Sequence, residues 1–150
     1  MAQFLDYRSS ENSNTLGFPS TALSIDPNSP SFIGDIGLIV GTTAKVRVDL
    51  WSTVALAVDE SVGNPTTILF FIARNLNPTS AFSASNVIYA ATEIFQEGDF
   101  GAHIITFNTA DLNGVPGPIP EQINYSLFAA ADQLVIRVGP ETFTGMAVTG

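Results

Sequence analysis

From residue 44 to residue 58 the chain alternates between apolar and polar side chains over a long, nearly unbroken stretch. Val46, Val48, Leu50, Val54 and Leu56 fall on one side, and Lys45, Arg47, Asp49, Trp51 and Thr53 on the other. A period of two sends successive side chains to opposite faces of a pleated strand. A helix would scatter the same apolar set around its circumference. The run is long for a single strand, so a bend near Ser52 is expected.

The same signal recurs along the chain. Residues 32–40, 66–75, 86–95, 102–108, 121–128, 133–138 and 141–148 all read as strands rich in β-branched and aromatic residues. The run Ile68-Leu69-Phe70-Phe71-Ile72 is apolar at every position, which marks a central strand covered on both faces. His103, Ile105 and Phe107 share one face, as do Ile123, Tyr125 and Leu127, and again Leu134, Ile136 and Val138. At the end of the chain Phe143, Gly145 and Ala147 oppose Thr142, Thr144, Met146 and Val148. Gly63-Asn64-Pro65, Gln96-Glu97-Gly98-Asp99 and Gly139-Pro140 are turn signals. Residues 110–120 hold Asn113-Gly114 and Pro116, Pro118 and Pro120, and read as an exposed connection. About eight strands with no helix predict an all-β domain, a two-sheet antiparallel β-sandwich over residues 21–150.

Residues 1–20 differ. Phe4, Leu5, Asp6 and Tyr7 form a short sticky segment, and Ser9-Ser10-Glu11-Asn12-Ser13-Asn14-Thr15 is polar and without period. Such a polar run cannot bury enough apolar surface to offset its ordering entropy. The plan reads as an N-terminal arm, a tether and then a domain. The opening residues have no basic stretch followed by an apolar core, so no Sec signal is expected.

Composition narrows the function classes. Five Lys and Arg stand against 14 Asp and Glu, for a net charge of −9. Nucleic-acid binding needs clustered cations, and so does attachment to an anionic membrane, so neither is expected. Charged residues make up 13% of the chain, about half the usual share. A surface of Ser, Thr, Asn and Gly packs against neighbours with little charge to desolvate. Cysteine is absent, which removes disulfides, thiol catalysis and thiolate metal sites.

Reactive groups are few. His103 is the single histidine and lies mid-strand among apolar residues, with no orienting carboxylate in its motif. Asp59-Glu60 and Glu97-x-Asp99 sit in turns without a calcium-loop pattern. No Gly-x-Ser-x-Gly elbow or phosphate loop occurs. No catalytic, metal or cofactor residue is assigned, and the chain reads as a non-enzyme. Trp51, the sole tryptophan, reads as a core or interface aromatic, or as a stacking platform if exposed.

One order of motifs carries a resemblance. The long alternating strand is followed by Ile68-Leu69-Phe70-Phe71-Ile72-Ala73-Arg74-Asn75 and Ile123-Asn124-Tyr125-Ser126-Leu127, and then by Val138-Gly139-Pro140-Glu141-Thr142-Phe143-Thr144-Gly145-Met146-Ala147-Val148. This order resembles the exosporium protein C-like, spore-surface proteins of endospore-forming bacteria, across residues 37–148. The Gly-Pro-x-x-Phe-Thr-Gly ending is the most specific piece. The resemblance implies a jelly-roll-like sandwich in the exosporium, the spore coat or an endospore appendage. It also implies a homopolymer whose subunits join head to tail, by insertion of an N-terminal segment into the next subunit. Without cysteine, this chain departs from the disulfide-linked appendage subunits.

The expectation is therefore a self-assembling extracellular or spore-surface subunit. Its partners are itself and other spore-surface proteins, and Phe4, Leu5, Asp6 and Tyr7 are its connector. Two alternatives use the same fold. One is a carbohydrate- or receptor-binding module with an aromatic platform at Trp51, Tyr89 or Tyr125. The other is a virion capsid or fibre protein.

Overall fold

A computed structural model describes residues 3–15, 17, 20–41, 46–59, 65–112 and 122–149. Nine strands are formed among them: β1 (Gln3–Ser13), β2 (Thr21–Ala22), β3 (Ser31–Ile39), β4 (Val46–Val58), β5 (Thr66–Asn75), β6 (Val87–Phe95), β7 (Gly101–Asp111), β8 (Gln122–Ala131) and β9 (Val135–Thr149). One 3-10 turn, Ala84–Asn86, precedes β6.

The strands pair as a nest. β5 meets β6, β4 meets β7, β3 meets β8, and β1 and β2 meet β9, all antiparallel. The chain is thus a long two-stranded ribbon. Rolling it up adds the pairs β4·β9 and β5·β8. The result is two sheets, β1-β9-β4-β7 with β2 also on β9, and β3-β8-β5-β6. A two-sheet roll of this order is a jelly roll.

The alternation in β4 holds. Val46, Val48, Leu50, Val54 and Leu56 are all buried, and Arg47 and Trp51 are exposed. β4 runs unbroken through Ser52. The expected bend is instead a register shift on β9, where pairing passes from Val54↔Glu141 to Leu56↔Arg137. The intervening Val138, Gly139 and Pro140, with a cis Gly139-Pro140 bond, form a bulge. The two expected strands, 133–138 and 141–148, therefore merge into one strand, β9, which begins at Val135.

Before the bulge, the face shared by Leu134, Ile136 and Val138 is not the inner one. Leu134 is 50% exposed, while Val135 is fully buried and Arg137 points to the interior. Arg137 is drawn inward by Glu141 and by the carbonyl of Phe32, which it reaches at 3.1 Å.

β5 is internal, as its apolar run predicts, with β8 and β6 on its flanks. Its outer face is covered too. Phe32, Phe128 and Phe71 lie on adjacent strands, and Phe82 from the 76–86 connection meets Phe71 and Phe128 at 5.3 Å each. The polar neighbours of β8 anchor that connection. Ser126 Oγ donates to the Thr79 carbonyl at 2.8 Å, and Asn124 Nδ2 to the Leu76 carbonyl at 3.2 Å.

The expected tether is not a loop. Residues 9–13 lie within β1, on the edge of the sheet. An edge strand is held by its main-chain ladder, so it does not need alternating apolar side chains. The Asp59-Glu60 pair and the proline-rich connection fall partly outside the described residues, at 60 and 113–121.

Candidate functional site

The four connector residues sit on β1 against the last strand of the roll. Phe4 pairs with Val148, Asp6 with Ala147 and Tyr7 with Met146. Phe4 is 59% and Tyr7 53% exposed, on the outer face of the sheet. Leu5 lies at a bulge and packs against the core. No residue of β1 is fully buried, so the main-chain ladder dominates its attachment.

Asp6 adds a second attachment, to the opposite sheet. Its Oδ2 accepts the backbone N–H of Ile39 at 2.9 Å, at the end of β3. Its Oδ1 accepts the Tyr7 N–H at 2.9 Å, and Arg8 Nε donates to Oδ2 at 3.1 Å. Burial alone raises the Asp6 carboxyl. The hydrogen bonds from Ile39, Arg8 and Tyr7 outweigh it and hold the group below its ordinary value. Further along, Ser9 and Thr144 share a hydrogen bond at 3.0 Å. Gly34 lets β1 lie close to β3, because a Cβ there would meet Ser10 Oγ at 3.2 Å.

Trp51 is on the outer face of the same sheet, 39% exposed, paired with Asn108 on one side and Thr144 on the other. Two open depressions flank it. One, of about 370 Å³, is lined by Arg47, Asp49, Trp51, Asn108, Thr109 and Ala110. The other, of about 270 Å³, is lined by Trp51, Ser52, Thr53, Thr106, Phe107 and Asn108. Arg47 and Asp49 pair at 2.8 Å on the rim. The other two platform candidates are not exposed platforms. Tyr125 is fully buried, and Tyr89 is half-buried and stacked on Phe107 at 5.8 Å.

His103 stacks on Phe95 at 4.4 Å, and its Nε2 lies 3.3 Å from the Asp99 carbonyl. Asp99 itself accepts the Gln96 N–H at 3.0 Å and closes the turn. Neither arrangement brings a carboxylate and a nucleophile together with the imidazole. Among the described residues no group of three or more His, Asp and Glu could hold a metal ion.

Two interior polar clusters escaped the sequence reading. Asp111 accepts from Arg74 Nη1 at 2.8 Å and from the Tyr125 hydroxyl at 2.9 Å. Glu141 is 1% exposed and takes two hydrogen bonds from Arg137. A signal existed for the second: by strand parity Glu141 falls on the same face as Phe143, Gly145 and Ala147. Asp111 gave none, since it lies where the strand reading had already stopped.

No family model matches the sequence, and no curated protein matches it. Among solved structures, the chain is similar to Eiger TNF from S. frugiperda, at 12% identity and a TM-score of 0.45, over 76% of this chain. It spans 64% of that structure's length. A chain of the Israeli acute paralysis virus full particle follows, at 12% identity and 0.33, over 99% of this chain and 70% of the other. The adhesin domain of Lys-gingipain from Porphyromonas gingivalis gives 11% and 0.30, over 98% and 96%. Likenesses this distant carry no argument about what the chain binds or builds.

Proposed function

We propose that the chain is a structural subunit that associates with copies of itself, and that β1 is exchanged between copies. The observation that supports this is the attachment of β1. It forms nine paired positions with β9 but contributes no fully buried side chain. A neighbour's β1 would make the same ladder, the same Asp6 contact with Ile39 and the same Ser9–Thr144 contact. Exchange of an identical element is a low-cost route to association. Passed head to tail, it gives an open fibre. The finer reading, a fibre or layer on the spore surface, rests on the sequence resemblance.

The absence of cysteine makes a direct test clean. In a Ser9→Cys/Thr144→Cys variant, oxidation links β1 to whichever β9 it occupies. Exchange predicts a ladder of covalent multimers on a denaturing gel. A product consisting wholly of internally linked monomer refutes exchange.

A second reading is favoured by Trp51. An exposed indole beside Asp49, Asn108 and Thr106 offers an apolar plate for a sugar ring and polar groups for its hydroxyls. With Asp49 on the rim and a net charge of −9, a neutral oligosaccharide suits it better than an acidic one. Titration with cellohexaose, laminarihexaose and chitohexaose tests this reading. It fails if none binds, or if Trp51→Ala leaves binding unchanged.

A further inference from the structure

The two sheets have four edge strands, β1 and β7 in one and β3 and β6 in the other. An edge exposes unpaired N–H and C=O groups, and proteins that stay apart blunt such edges with bulges and charge. Three of the four edges are blunted in this way. β1 has register shifts at Phe4/Asp6 and Glu11/Ser13, and carries Asp6, Arg8 and Glu11. β3 has a shift at Phe32/Gly34, exposes Asp35, and has its Ile39 N–H taken by Asp6. β6 is shifted against β5 at Ile72/Ala73 and exposes Glu93.

β7 has none of these devices. It pairs with β4 from Val48↔Asp111 to Val58↔Gly101 without a single shift. It contains no Lys, Arg, Glu or Pro. Its one carboxylate, Asp111, is buried at the end of the strand, and His103 is half-buried against Phe95. The exposed positions are Gly101, Ala102, Ile104, Thr106 and Asn108, and Ile104 is 63% exposed. Among the described residues no strand pairs with the outer side of β7.

We infer that this edge is an interface, on which a second copy of the chain lays its own β7, antiparallel, about a two-fold axis. The occupant follows from the inventory of edges. A flat, uncharged edge is best matched by another flat, uncharged edge, and among the described residues this chain has one. Like edges meeting in register-symmetric fashion are antiparallel and isologous. Charge agrees. Copies carrying −9 each repel one another, and β7 is an edge on which no exposed carboxylate adds to that repulsion. The joined sheet would run through both subunits, with Trp51 of each one strand in from the seam.

Sedimentation of the full chain over a range of concentrations tests the pairing. Ile104→Lys/Thr106→Lys places two charges on exposed positions of the edge, and circular dichroism checks that the fold is kept. The variant is expected to lose the two-fold association that the wild type shows. A wild type that stays monomeric throughout, or a folded variant that associates like the wild type, overturns the inference. A second measurement reads the geometry. Single cysteines at 102, 104, 106, 108 and 110 should give disulfide dimers peaking at one position and falling away on both sides. A flat or absent profile also overturns it. Exchange of β1 is read separately, because the Ser9→Cys/Thr144→Cys cross-link does not involve β7.

Discussion

Arg137 holds Glu141 with two hydrogen bonds inside the sandwich, Nε to Oε1 at 2.8 Å and Nη2 to Oε2 at 2.6 Å. The same guanidinium donates from Nη1 to the Phe32 carbonyl on the opposite sheet. The pair therefore ties the two sheets together. Removing one partner of a buried pair leaves an uncompensated charge, at a cost of about 3–5 kcal/mol. Arg137→Met should lower the stability measured by urea unfolding by that order. Arg137→Met/Glu141→Leu should recover most of the loss. A double variant as unstable as the single one would contradict this account of the pair.

Gly145 sets how closely the sheets approach. A Cβ there would run into Ile36, Leu38 and Leu50. Gly145→Ala is expected to destabilise the fold by about 1–3 kcal/mol, the usual range for overpacking. Combining it with Ile36→Val, which removes the methyl in the way, should restore part of the loss. Urea midpoints of the single and double variants read both effects.

Acid should weaken the attachment of β1. The folded value of the Asp6 carboxyl lies below its ordinary one. Its contribution is then fully present above the unfolded value, about 3.9, and is lost as pH falls through the lower folded value. The Ile39 amide, which donates to Asp6, reports this in an NMR titration. Its midpoint should lie below the ordinary carboxylate range, and Asp6→Asn should abolish the step. A midpoint at the ordinary value would remove the basis for this attachment.

Alkali should act on the other polar cluster. Burial, and then the charge and hydrogen bond of Asp111, push the Tyr125 phenol far above its ordinary value, while Arg74 pulls weakly the other way. A raised folded value gives stability that is fully present below the unfolded value, about 10, and is lost as pH rises above it. The phenolate absorbance of Tyr125 should therefore appear together with loss of the near-ultraviolet circular dichroism. Tyr125→Phe should weaken this coupling. Ionisation of Tyr125 in a chain that stays folded would show the burial argument to be mistaken.

Most of the sandwich was legible because its strands bury one face and expose the other. The period-two pattern named the inward residues of β4, β7 and β8 directly. β1 was not legible, because main-chain bonds hold it and its exposed side chains follow no apolar period. β9 was read as two strands because Gly139-Pro140 carries the composition of a turn, and in the structure that composition serves a bulge. The count of about eight falls one short of nine, because two strands, β1 and β2, were missed and one, β9, was divided in two. Of the candidate sites, Trp51 falls on the polar side of the β4 alternation, and the structure places it on the outer face of the sheet, 39% exposed. The edge of β7 left no mark in the sequence. What distinguishes it is the lack of a shift and of charge relative to three other edges, and that comparison needs the pairing map. The resembling motifs gain a physical reading as well. Arg74 and Tyr125 meet at Asp111, Glu141 is paired inside, Phe143 is core and Gly145 is the point of closest approach.

The position of β9 has a consequence in time. Synthesis delivers β1 well before the strand it pairs with, which begins only at Val135. At ordinary elongation rates the interval is on the order of ten seconds. Throughout it the growing chain has no β9 of its own to offer, and its first strand is an unclaimed ribbon end. Under the exchange proposed above, that interval is when a neighbour's β9 would compete for it, and closer spacing of ribosomes would favour the neighbour.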